Sequence, residues 1–498
     1  MMVEYVDDIN KIPKGTKYLR FTEAFNEPVD NLPCSITHLT FGYNFNQRVD
    51  NLPCSITQLI FGYYFNQRVN NLPNSITHLT FGYNFNQPVD NLPNSITQLT
   101  FGSNFNQFVD NLPNSITHLT FGYDFNQSVD NLPNSITHLT FGYDFNQPVD
   151  NLPNSITHLT FGISFDQNVD NLPNSITHLT FGSNFNQQVD NLPNLITHLT
   201  FGYVFNQPVD NLPNSIIHLT FSYNFNQPVD NLPNSITHLS FKFFSEYNTT
   251  INNLPNSITH LTFGEKFNQP IDNLPNSIIY LSLGKYFNKP LNNLPNSIKI
   301  LKFYELSSFN QSIDKLPNSI TQLTFGCDFN QCVDNLPNSM SHLSFREKFN
   351  QSVDNLPNSI THLTFGHNFN KSIDNLPNSI IHLTLGYCFD KEIDKIIHFV
   401  KIFTFHNYNF YCKNNHKLSN KIIMYISEHK IWYKFNNFSI NNNNENNKYN
   451  ELCNIVELHY FVHEILFKKL TEYVFNPQRL LRIAEKYNLT FDEYMEFL

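Results

Sequence analysis

The sequence predicts a repeat solenoid: a right-handed parallel β-solenoid of about nineteen rungs, 20–22 residues each, with a small α-helical C-terminal region. Three observations lead there. A unit of twenty residues, seen clearly at 111–130, recurs from Ile12 to Asp394, and its proline can be followed from Pro33 to Pro377. Within the unit Leu119 and Phe121 alternate with His118, Thr120 and Gly122, the period-two pattern of a short half-buried strand. Between strands the run Asn-Leu-Pro-Asn-Ser supplies turn chemistry, because proline sets φ while Asn and Ser bond nearby backbone.

Each phase of the unit has an expected task. Leu112, Ile116, Leu119, Phe121, Phe125 and Val129 are the apolar set, and the two phenylalanines form two core columns. One unit cannot bury this set alone, so stability requires stacking. Gly122 is expected to allow a tight change of direction after the strand. Asn126 is expected to be buried and to bond backbone in adjoining rungs; Asp166 and Asp390 replace it and keep an acceptor. The column of Asp50, Asp90, Asp110, Asp130 and Asp150 is expected to cap the following Asn-Leu-Pro turn, since Asn70, Asn252 and Asn292 keep the capping oxygen without its charge.

In chain order, residues 1–30 form a degenerate N-terminal capping rung and 31–394 the regular array. Twice the proline spacing widens to twenty-two, from Pro233 to Pro255 and from Pro295 to Pro317. These insertions are expected as local bulges on one face. Residues 395–440 are a C-terminal cap, in which 396–405 still alternate like a last strand. An Asn-rich linker follows at 441–450. Helical spacing from Leu452 to Leu466 predicts a helix over 451–475, and Asn476-Pro477 opens a second over 477–487. A short third helix is expected at 491–498.

Ile116, Leu119 and Phe121, followed by Asn126 and Leu132-Pro133, resemble the leucine-rich repeat. Phe125-Asn126-Gln127 with Val129 and Leu132-Pro133 resembles more closely the FNIP repeat of social amoebae and giant amoeba-infecting DNA viruses. The asparagine lies seven residues after Leu119, where the ordinary leucine-rich pattern has five, so loop geometry beyond the strand does not transfer. The region around Phe475 and Tyr487 is similar to C-terminal ends seen on giant-virus proteins, a likeness that implies no activity.

Net charge is −11, from 30 Lys/Arg and 41 Asp/Glu. Residues 395–498 hold 13 basic and 10 acidic residues, so the preceding array holds 17 and 31 and carries −14. An acidic array is a poor nucleic-acid binder, because phosphate contacts need clustered Lys and Arg. No secretory leader or membrane-length apolar run is visible, which predicts an intracellular, host-cytoplasmic location without membrane contact. Cys34 and Cys54 share one phase of neighbouring rungs, within disulfide reach, and are expected as reduced thiols.

Three outward columns remain. His78, His118, His138, His198 and His218 share one phase, Thr120 and Thr140 the next outward phase, and Tyr83, Tyr123, Tyr143, Tyr203 and Tyr223 another. A linear histidine ladder, interrupted by Gln58, Gln98 and Gln322, does not supply a tetrahedral zinc set, and no cofactor or metal is expected. Ser and His recur in every unit, whereas catalysis needs a unique shaped pocket, so the sequence argues against an enzyme. The remaining expectation is a host or viral protein partner bound along the strand face at these twelve residues. The alternative is a ubiquitin-ligase substrate adaptor, which the FNIP resemblance raises; no F-box is visible in the chain.

Overall fold

The computed structural model describes residues 2–418, 422–427 and 430–435. The expected linker at 441–450 and the helices at 451–475, 477–487 and 491–498 lie outside the described residues.

Among the described residues, short strands, one to each rung of the array, form a continuous 23-stranded sheet. Strand β1 (Met2–Val6) pairs with β2 (Tyr18–Phe21), and β3 (His38–Thr40) to β20 (His382–Leu385) follow one per rung. Strands β21 (Ile402–Phe405) and β22 (Ile422–Ser427) continue in parallel, and β23 (Lys430–Phe435) turns back antiparallel to β22. Register is phase to phase: in β7 (His118–Thr120) and β8 (His138–Thr140), His118 faces His138, Leu119 faces Leu139 and Thr120 faces Thr140.

The six apolar phases are buried throughout and form one core. Phe121 and Phe125 stack within a rung at 3.7 Å, and each meets its counterpart in the next rung at 5.8 and 6.0 Å. Two rows of rings therefore run along the axis, and each Phe is held from three sides.

Polar phases tie rung to rung. The Ser135 hydroxyl donates to the Ile116 carbonyl at 2.6 Å, and the Thr117 carbonyl accepts from the Thr137 and His138 amides at 2.9 and 3.0 Å. The asparagine ladder exists, but it is half-buried at the rim rather than in the core: Asn126 Oδ1 accepts from the Asn146 amide at 2.9 Å and from Gln147 Nε2 at 3.1 Å. Asp166 serves identically, accepting from Asn186 and Gln187 at 2.9 and 3.0 Å.

Two expectations need correction. Gly122 is not needed for a special turn, because among the described glycines only Gly15 has a positive φ, 92°. It is needed for space: a Cβ there would collide with the carbonyl of Gly102 in the preceding rung. Where the phase holds Lys242 or Tyr304, the strand gains a residue, and the Lys242 and Tyr304 amides donate to the Phe221 and Leu283 carbonyls of the rung before at 2.8 and 2.9 Å. The aspartates, likewise, reach the next rung: Asp110 Oδ1 accepts from Asn131 Nδ2 at 3.2 Å, and Asp130 accepts from Asn151 at 3.2 Å. An amide thus stands between successive carboxylates, which eases their mutual repulsion.

Each insertion leaves the core intact. After β13 (His238–Phe241), Tyr247 takes the place of the second phenylalanine, stacked 4.0 Å from Phe241 and 6.1 Å from Phe267. After β16 (Ile300–Phe303), Phe309 does the same, 4.3 Å from Phe303. The extra residues are tucked by Ser245 and Ser307, both fully buried.

Candidate interaction face

The alternation of each strand decides what faces outward. In β7 and β8 the leucines point to the core, leaving His118, His138, Thr120 and Thr140 half-exposed or exposed. The following turn puts Tyr123 and Tyr143 at the edge of the same face, 48% and 37% exposed. His198, His218, Tyr203 and Tyr223 repeat this arrangement further along.

The structure brings these residues into two kinds of group. Histidine rings stack: His118 lies 4.2 Å from His138, and His198 lies 4.4 Å from His218. Tyrosine rings stack where rungs adjoin, Tyr123 on Tyr143 and Tyr203 on Tyr223, both at 4.3 Å. His78 is set apart, because its strand neighbours are Gln58 and Gln98. Tyr83 stacks on Tyr63 at 4.5 Å and is separated from Tyr123 by Ser103. In a stacked column the ring faces cover one another, so the surface displays ring edges, hydroxyls and ring nitrogens.

Electrostatics along the columns follow from that crowding. Burial, then neighbouring Tyr143 and the carboxylates of Asp144 and Asp124, raise the Tyr123 phenol above its ordinary value. Burial, followed by the flanking imidazoles His158 and His118, lowers His138. Most of the preceding threonines fix the imidazoles: the Thr117 and Thr137 hydroxyls each lie 2.9 Å from Nδ1 of the next residue. Among the described residues, no group of three or more His, Cys, Asp or Glu side chains converges as a metal site.

The sequence marks the two insertions as bulges on one face, but not that they meet. Phe243 and Tyr304 stand three rungs apart, yet their rings meet at 4.0 Å. Phe244 and Leu306 beside them are 63% and 54% exposed, and Tyr286 is 40% exposed with Lys266 and Lys285 each 5.0 Å from its ring. Arg346 reaches back to Glu305 at 2.9 Å. The signal was present as the two twenty-two-residue spacings, but their meeting depends on loop conformation.

The comparisons agree with this architecture. The FNIP Repeat family matches in thirteen segments between residues 25 and 388, among them 25–64, 125–164, 205–244, 267–305 and 349–388. The solved structure of CroV588, described as a novel circular leucine-rich-repeat protein, is 41% identical, with a TM-score of 0.66, covering 85% of this chain and 81% of that one. YopM from Yersinia enterocolitica WA-314 is 18% identical over 71% of this chain and 84% of its own, with a TM-score of 0.42. No curated protein matches. With its rungs tiled by that repeat over most of their length, the chain belongs to the FNIP-repeat family and has a leucine-rich-repeat-like solenoid fold.

Proposed function

We propose that the protein is a non-enzymatic interaction scaffold that binds a host or viral protein along its strand face. The observation that supports this most directly is the division of labour within the unit. Core, asparagine and serine phases are nearly invariant and engaged between rungs, whereas the Tyr phase and the residue after it vary and face outward. Exposed tyrosines on a rigid support suit protein interfaces, since they offer contact area at little entropic cost. Likeness to a circular leucine-rich-repeat protein supports a curved array, and solenoids of this kind use their concave surfaces for binding.

The His and Thr phases repeat along most of the face and by themselves give a partner little register. The aperiodic cluster of Phe243, Phe244, Tyr304 and Leu306 lies on the tyrosine edge and offers a register mark. The test is affinity capture from native or infected cells with three forms of the full chain: unmodified, Tyr123/Tyr143/His118/His138→Ala, and Phe244/Leu306→Ala. Loss of one captured protein in either variant, with unchanged circular dichroism, supports the reading. Equal capture by all three refutes it. Co-purified cullin-type ligase subunits would instead favour the adaptor reading.

A further inference from the structure

The histidine column has a physical property that its use as a contact surface does not require. Eight rings from His118 to His260 stack without a break, at centroid separations of 4.2–4.4 Å and interplanar angles of 9–20°. Gln98 precedes the column and Tyr280 follows it, 5.8 Å from His260. Rotation away from the stack is resisted, since Nδ1 of His138, His198 and His260 lies 2.9 Å from the hydroxyl of the preceding threonine. The parallel register then holds each ring over the next.

The acidic side chains of this stretch stand on phases other than the histidine column. From residue 69 to 241 the chain contains no Lys or Arg and eleven Asp. Each strand of the column is packed against its two neighbours, whose facing titratable groups are other imidazoles; the inner face presents leucines. The adjoining turns contribute Tyr123, Tyr143, Tyr203 and Tyr223 with Asp124 and Asp144, and the far end contributes Lys242, Glu246, Glu265 and Lys266. The aspartates of the Asp110 and Asp130 phase are engaged with asparagines of the next rung.

We propose that the imidazole column from His118 to His260 is a proton-responsive element that loosens the strand face when it charges. Protonating one ring raises the cost of protonating its neighbours, since like charges 4.2 Å apart repel. Relief comes only by separating rings, which strains the strand pairing that holds them. Burial followed by neighbouring imidazoles lowers His138 and His198, and lowers His238 to about 4; burial lowers His260. With folded values below the ordinary one, the unfolded chain binds more protons. The stabilisation is therefore complete above about pH 6.5 and is lost as pH falls below it toward about 4.

The test uses the full chain and needs no partner, so it stands apart from the binding proposal. Thermal unfolding and amide exchange are followed at pH 7.5, 6.0 and 5.0 for the unmodified protein and for His138/His178/His218→Gln. Glutamine occupies this phase natively at Gln58, Gln98 and Gln322 in unbroken register, so the replacement suits the fold. The unmodified protein is expected to melt progressively lower with acidification, with protection factors across 117–260, referred to the intrinsic exchange rate at each pH, falling roughly tenfold or more. In the variant, glutamine rungs separate His118, His158, His198 and His238, only His238 and His260 stay stacked, and the pH slope falls to less than half. Only slopes are compared, so a lower starting stability does not affect the outcome. Equal slopes, or no acid loss in the unmodified protein, overturn the proposal.

Discussion

Replacing Asn86 by alanine tests whether the rim ladder holds the array together. Asn86 Oδ1 accepts from the Asn106 amide at 3.0 Å and from Gln107 Nε2 at 2.9 Å, linking one rung to the next. Each such bond contributes about 0.5–1.5 kcal/mol net, so removing both costs about 1–3 kcal/mol. Aspartate is the matched control, because Asp166 accepts the same two bonds from its own neighbours at 2.9 and 3.0 Å. Asn86→Asp is therefore expected to stay within about 0.5 kcal/mol of the parent, as a surface change that breaks no such feature does. In a solenoid the loss falls on one nearest-neighbour interface, so a global melting curve dilutes it. Amide exchange resolved to the segment around Asn106 is the proper assay. A loss of 1.4 kcal/mol appears there as about tenfold faster exchange in Asn86→Ala, with Asn86→Asp unchanged. Equal protection in the two variants would refute the ladder argument.

Three further outcomes follow from the same geometry. Tyr247 is fully buried in the phenylalanine column and its hydroxyl has no hydrogen-bond partner, so Tyr247→Phe should stabilise the array by about 1–3 kcal/mol in urea unfolding. Gly162→Ala would drive a Cβ into the backbone carbonyl of Gly142, and is expected to destabilise by about 1–3 kcal/mol in the same assay, whereas Ser222→Ala, at a phase position already occupied by a side chain, should be near neutral. Burial first, then the Glu347 carboxylate, push the Cys327 thiol up to about 12, so alkylation at pH 8 should label the exposed Cys34 and Cys54 well before Cys327, as read by mass spectrometry.

Much of the molecule is legible from one rung. Leu119 and Phe121 alternate with polar neighbours, and the strand forms on that alternating run. Phe125, Val129, Leu112 and Ile116 recur at fixed phase, and all are buried. Asn126 was legible as a ladder because its replacements, Asp166 and Asp390, share only its acceptor oxygen. The outward columns of His, Thr and Tyr could be named for the same reason: whatever is not core or turn must face out.

What a linear reading could not supply are the relations across rungs. Gly122 looks like a turn residue in sequence, but its need is set by the Gly102 carbonyl twenty residues earlier. Asp110 looks like a cap for its own turn, yet its partner is Asn131 on the next coil. Phe243 and Tyr304 are separated by sixty-one positions and meet only because two loops lean across the intervening rungs. Period and side-chain polarity are enough to specify the repeat, the core phases and the outward columns. Ring stacking, carbonyl clearance and the meeting of the insertions arise only once the rungs are stacked. Those depend on distances between successive coils, which the fixed spacing of parallel strands sets and no single unit contains.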